Sequence, residues 1–206
     1  MSSVTLMITY PFFIILSYLI GSLSAAIITC RVMGLPDPRT TGSNNPGATN
    51  VMRIGGKKAA IITLIGDALK GFIPVCLVAI LFPNDSTLMA CSALAAFLGH
   101  LFPIFFEFKG GKGVATALGC IIALSPWVAL CAFGTWIVVF LSTRISSLSA
   151  LTAAIFAPLY LWLFDASLYV VLAVVVMDVL LIIRHKANIE RILKGEEKKM
   201  SFGQKK

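Results

Sequence analysis

Three short polar stretches in this chain carry the residue types that bind phosphate. FEFKGGKGVATALG, from Phe106 to Gly119, surrounds Lys112 with Gly110, Gly111 and Gly113. Such glycines let a backbone approach an oxyanion closely, Lys112 supplies charge, and a helix opening at Val114 attracts anions to its N-terminus. TTGSNNPGATNVMR, from Thr40 to Arg53, offers hydroxyls and amides around Ser43 and Thr49 before a single arginine, Arg53. A guanidinium there can fork onto a phosphate. RHKANIERILKGEEKK, from Arg184 to Lys199, sets His185 and Asn188 three residues apart, on one face if the helix continues. His185 suits either a general base or a phosphate donor.

Each stretch also has a plainer reading: an interfacial turn with snorkelling lysines, a hydrophilic loop with a helix cap, and the basic flank of a last span. A nucleotide loop is a poor fit, because Lys112 is followed by Gly113 rather than Ser or Thr. No GxSxG elbow or Cys/His pair points to a covalent nucleophile. The five cysteines (Cys30, Cys76, Cys91, Cys120 and Cys131) stand singly in apolar stretches. Neither a metal site nor a disulfide framework is indicated, and no cofactor is expected.

The elements that must position these stretches are hydrophobic. Of 206 residues, 58% are hydrophobic and 13% charged, with a mean hydropathy of +0.94, which excludes an ordinary soluble domain. Apolar segments run over 7–30, 59–82, 87–106, 113–124, 126–142, 148–164 and 167–183. The fourth spans only about 18 Å as a helix, short of a hydrocarbon core, and fusing with the fifth across Pro126 is the alternative. No Lys or Arg precedes Arg31, so a cleaved signal peptide is not expected.

Charge arbitrates the count. Of 17 Lys and Arg, five fall in 31–58, two in 107–112, one at Arg144 and eight in 184–206, while the connections at 83–86 and 165–166 hold Asp85 and Asp165. Seven spans with the N-terminus outside put every basic connection in the cytoplasm; six would leave a large basic block outside. The expected fold is an all-α integral membrane bundle of seven transmembrane helices, a single domain over 1–206 with a basic cytoplasmic tail from about 184. The net charge of +8 then reflects topology and contact with membrane lipids rather than nucleic acid. The last ten residues or so read as loose. Inside the spans, Asp67 and Lys70 at i, i+3 are either a structural pair or a substrate contact. Asp178 has no nearby partner, and His100 reads as a packing residue.

Together the three stretches resemble motifs of the bacterial PlsY family, integral-membrane glycerol-3-phosphate acyltransferases. TGSNNPGATNVMR is similar to S-G-S-G-N-P-G-A-T-N-V-x-R, GHLFP with FKGGKGVAT to the second family motif, and HKANIERILKGEEK to H-x-x-N-I-x-R-L-x-x-G-x-E-x-K. Thr41 and Asn44 depart from the first pattern; Thr41 keeps a hydroxyl, and asparagine tolerates left-handed backbone. The resemblance implies seven transmembrane helices, a bacterial inner membrane location and an active site at the cytoplasmic face. It also implies acyl transfer from acyl phosphate to the 1-hydroxyl of glycerol 3-phosphate, with functional coupling to an acyl-phosphate-producing enzyme. Ser43, Arg53, Lys112, His185 and Asn188 would gather around the substrates, with Thr49 and the glycines of GGKG seating a phosphate. Catalysis would rest on positioning two anions and stabilising the tetrahedral oxyanion. Two rivals remain: an acyl-CoA-dependent enzyme, of whose H-x4-D signature His185 to Glu190 is a loose echo, and an organic-phosphate transporter.

Overall fold

The computed structural model describes residues 3–200. Every regular element in them is helical: α1 (Ser3–Gly21), α2 (Ala25–Val32), α3 (Ala48–Leu81), α4 (Ser86–Leu101), α5 (Val114–Leu124), α6 (Pro126–Thr143), α7 (Ser146–Leu163), α8 (Leu168–Arg184) and α9 (Lys186–Leu193), with a 3-10 turn at Ile104–Phe106. Four helices (α3, α4 with its 3-10 extension, α6 and α7) are long and apolar enough to cross a membrane, and the bent pairs α1–α2 and α8–α9 bring the total to six. The seventh apolar element, α5, has 11 residues, about 16 Å of helix and half a hydrocarbon core.

The breaks have local causes. The run 7–30, read as one segment, bends by 40° between α1 and α2. There the Ser24 side chain accepts from the Ile27 N–H and starts α2 afresh. Fusion of α5 with α6 does not occur: Ser125 is extended (φ −158°, ψ 99°) and Pro126 takes the first helical position. Within α3, Gly56 has φ 74° and separates the first turns, which carry Thr49 and Arg53, from the long apolar remainder.

Small residues let the helices meet backbone to backbone. A Cβ on Gly71 of α3 would lie 2.2 Å from the Thr116 carbonyl of α5, and one on Gly119 would lie 2.0 Å from the Ala68 carbonyl. Such contacts replace the hydrophobic drive that lipid removes. Phe97, Leu101, Val75, Cys120 and Met177 fill the centre. Trp127, Val138, Leu141 and Leu168 remain exposed on the outside of the bundle, where lipid rather than water suits them.

Candidate active site

The first polar stretch is a loop built around one buried amide. Asn50, 1% exposed, donates through Nδ2 to the carbonyls of Pro38 (3.0 Å) and Thr41 (2.9 Å), and its Oδ1 accepts from the Ser43 N–H at 2.8 Å. Asn44 adopts φ 54°, so the residue that departs from the family motif takes the left-handed conformation expected of it. Ser43 and Arg53 are exposed, and Thr49 is half-buried on the first turn of α3.

The glycine turn is gripped from three sides. Arg184 donates through Nη2 to the Gly110 carbonyl (2.7 Å) and through Nε to the Gly111 carbonyl (3.2 Å). The Gly111 N–H donates to the His100 carbonyl at 3.3 Å. With the Gly111 carbonyl held by Arg184, the Lys112 N–H points away from that guanidinium, across its trans peptide. Gly113 has φ 88° and a Cβ there would strike the Phe97 ring at 2.2 Å. Helix α5 then opens with no side-chain cap, leaving its first N–H groups available to an anion.

Lys112 meets the third stretch directly: its Nζ donates to Asn188 Oδ1. The helix does not run straight through this stretch, as α8 and α9 meet at 61°. His185 and Asn188 nevertheless stay together, because the Asn188 N–H donates to the His185 carbonyl at 2.8 Å in the first turn of α9. Asn188 Nδ2 donates to Glu197 Oε1 (2.5 Å), which also accepts from Ser147 Oγ (2.7 Å), while Arg191 Nε donates to Glu197 Oε2 (2.6 Å). The tail read as loose is therefore fastened at Glu197, and again where the Met200 N–H donates to the Arg144 carbonyl at 2.9 Å. Residues 201–206 lie outside the described part.

Electrostatics follow from this crowding. Burial pushes the Lys112 ammonium down to about 8; Glu197 opposes the shift, and Arg191, Arg184 and Arg53 reinforce it. Lys112 thus stays charged at neutral pH among three guanidiniums, a field that calls for an anion. Burial also lowers His185, to about 4, against the support of its bond to the Leu181 carbonyl. Because a carbonyl only accepts, the 2.8 Å contact from Nδ1 to Leu181 O places the proton on Nδ1 and leaves Nε2 as the bare nitrogen.

The structure therefore brings Lys112, His185 and Asn188 together, with Gly110, Gly111 and Gly113 beneath them. The first loop abuts the second, since a Cβ on Gly111 would lie 2.9 Å from the Pro46 carbonyl. A cavity of about 580 Å³ is lined by Asn45, Lys112, Arg184, Lys186 and Glu190, with Ile183 and Ala187 on its apolar side. Arg53 reaches this group through its field; among the described residues, no hydrogen bond ties Ser43, Thr49 or Arg53 to the other two stretches. Sequence reasoning missed Asn50, Arg184 and Glu197, all three of which lie inside the quoted stretches. Gly195, at φ 72°, was the one local signal that the chain turns back to deliver Glu197.

A Lys112 ammonium that deprotonates near pH 8 holds an anion less well above that pH. Its ordinary value lies above 10, so the folded protein loses this proton early, near pH 8, and a bound phosphate holds it on. Binding is full below pH 8, and the KM of the phosphate substrate seated there is expected to rise about tenfold per pH unit above it. Steady-state kinetics from pH 7 to 9.5 check this, and a flat KM would contradict it.

Comparison with known proteins gives the family. The sequence profile of the family described as glycerol-3-phosphate acyltransferase matches residues 11–195. The glycerol-3-phosphate acyltransferase of Methylococcus capsulatus is 56% identical over 184 residues, 89% of this chain and 92% of the relative. That of Methylobacillus flagellatus is 52% identical over 193 residues, 94% of this chain and 97% of the relative. Crystal structures of PlsY (YgiH), described as an integral membrane glycerol 3-phosphate acyltransferase, superpose on this chain. The glycerol 3-phosphate form gives a TM-score of 0.90 at 42% identity, covering 94% of this chain and 96% of that one. The lysophosphatidic acid form gives 0.88 at 41%, with the same coverage. From its polar stretches to its helical frame, the chain belongs to the glycerol-3-phosphate acyltransferase family and is an integral-membrane acyltransferase.

Proposed function

We propose that this enzyme transfers a fatty acyl group from acyl phosphate to the 1-hydroxyl of sn-glycerol 3-phosphate. The products are 1-acyl-sn-glycerol 3-phosphate (lysophosphatidic acid) and inorganic phosphate. The observation that carries the reading is the cationic centre itself. Lys112 is pinned by Asn188, which Glu197 in turn holds, beside a glycine turn whose carbonyls Arg184 holds back. Two substrates that both carry phosphate suit such a centre.

The hydroxyl oxygen of glycerol 3-phosphate attacks the acyl carbonyl carbon, and the bond from that carbon to the phosphate oxygen then breaks. Phosphate is a good leaving group in this mixed anhydride, so no acyl-enzyme is required. Lys112 and Arg53 bind phosphate; Ser43, Thr49, the glycine turn and Asn188 orient it. The hydroxyl proton goes to a phosphate oxygen or to His185 Nε2. Burial, which lowers the imidazole to about 4, favours the phosphate oxygen, whose second pKa of about 6 makes it the stronger base. His185→Ala is expected to reduce kcat by no more than about tenfold, and a loss a thousandfold or greater would return the base role to His185.

The charge distribution supports seven spans, an outside N-terminus and a site at the cytoplasmic face of the inner membrane, in one domain over 1–206. There the soluble glycerol 3-phosphate and a lipid-borne acyl phosphate meet, and a soluble acyl-phosphate-producing enzyme can hand over its product. The deciding assay gives purified protein glycerol 3-phosphate with either acyl phosphate or acyl-CoA. Lysophosphatidic acid formed only from acyl-CoA would overturn the donor assignment.

A further inference from the structure

Three charged or ionisable groups sit in the bundle beneath the glycine turn and are not used by the mechanism above. Asp67 and Lys70 on α3 and His100 at the end of α4 are 3%, 5% and 6% exposed. Lys70 Nζ lies 2.9 Å from Asp67 Oδ1 but aims its hydrogen bond at the Leu23 carbonyl, 2.7 Å away. Asp67 Oδ1 is thus ion-paired without a formed hydrogen bond, and His100 Nδ1 stands 3.7 Å from it. The same Nδ1 is 3.0 Å from Thr116 Oγ1, on the first turn of α5. The other edge of the ring reaches the turn: a Cβ on Gly111 would lie 2.4 Å from His100 Nε2. The His100 carbonyl takes the Gly111 N–H as well.

Stability alone gives a poor account of this arrangement. A buried ion pair in an apolar bundle is commonly matched or bettered by apolar residues of similar volume, and charges at membrane depth are costly unless they serve a function. Its geometry, however, connects α3 to the two elements that flank Lys112: the glycine turn through the His100 ring and α5 through Thr116. We propose that Asp67, Lys70 and His100 form a buried strut of positioning residues that sets where the GGKG turn and the start of α5 hold the substrate phosphate. The proposal rests on the assignment of GGKG as a phosphate turn. The Asp67 carboxylate favours the proton on His100 Nδ1 and so locks the ring against Thr116 and Gly111. Lys70, anchored on the Leu23 carbonyl, pairs with Asp67 and keeps it in place.

The test measures the KM for glycerol 3-phosphate and for acyl phosphate separately, in detergent-purified full-length protein. Lys112→Arg keeps the charge but changes its reach, and the KM that it raises identifies the substrate seated on the turn. His100→Leu is expected to raise that same KM about tenfold, because small displacements of a positioned group are costly. Thr116→Val, which removes only the hydroxyl contact, is expected to raise it about threefold. His100→Asn, whose amide can replace Nδ1, is expected to restore most of the affinity. A loss of folded enzyme lowers Vmax but leaves KM unmoved, so a merely structural role predicts no KM change. Should His100→Leu fail to fold, Thr116→Val decides. Unchanged KM values in these variants, with Lys112→Arg shifted, would overturn the strut alone. Unchanged KM values in Lys112→Arg would overturn the phosphate turn and the strut with it.

Discussion

Lys112→Ala is expected to lower kcat/KM by about 10²–10³-fold, equivalent to roughly 3–4 kcal/mol of lost transition-state stabilisation. The lysine side chain joins the glycine turn to Asn188, so its removal takes away a charge and frees an orienting amide together. The same substitution is expected to leave the substrate-free protein at least as stable. Burial and three nearby guanidiniums hold the Lys112 ammonium below its ordinary range. The charged form is thus disfavoured in the folded state, a penalty fully present below pH 8 that fades as the proton is lost above it. Thermal denaturation of the purified variant, beside its kinetics, checks both halves. Retention of activity within tenfold of the parent would remove Lys112 from the phosphate site.

Glu197→Ala is expected to damage stability and activity together, by about 3 kcal/mol and about 10²-fold respectively. One carboxylate, its side chain 10% exposed, receives hydrogen bonds from Ser147, Asn188 and Arg191. Although burial works against ionisation, those bonds hold its carboxyl below the usual carboxylate range. Without it, the field of Arg53, Arg184 and Arg191 on Lys112 is no longer offset by Glu197. Inorganic phosphate should then raise the Tm of the variant more than that of the parent, since a bound anion neutralises the same cations. An equal shift in both proteins would show that Glu197 does not balance this cluster.

Much of this was legible in the residues, for identifiable reasons. Apolar runs and the placement of Lys and Arg marked the helices, because a bilayer leaves few solutions for an apolar chain. That Lys112, His185 and Asn188 belong together was legible because glycine, lysine and a three-residue helical spacing each carry a physical signal. The break at residues 22–24 was hidden inside continuous hydrophobicity, where only Ser24 could mark a new cap. Arg184 was read as part of a basic flank, whereas it binds the carbonyls of Gly110 and Gly111. Glu197 sits in a run of charges that composition reads as solvated, and its value depends on Ser147, fifty residues away. Asn50 is one amide among several, and burial alone distinguishes it from Asn44 and Asn45.

The fastening of the tail has a consequence for how the protein is made. In chain order Glu197 comes after α1 to α8, so every one of those helices leaves the ribosome before it does. Until it arrives, Asn188 lacks its orienting partner and the α6–α7 connection lacks the Met200 contact at Arg144. Assembly of the centre therefore follows emergence of the apolar helices, paced by contacts of long sequence separation. A nascent chain with all its apolar helices inserted is a membrane protein before it is an enzyme.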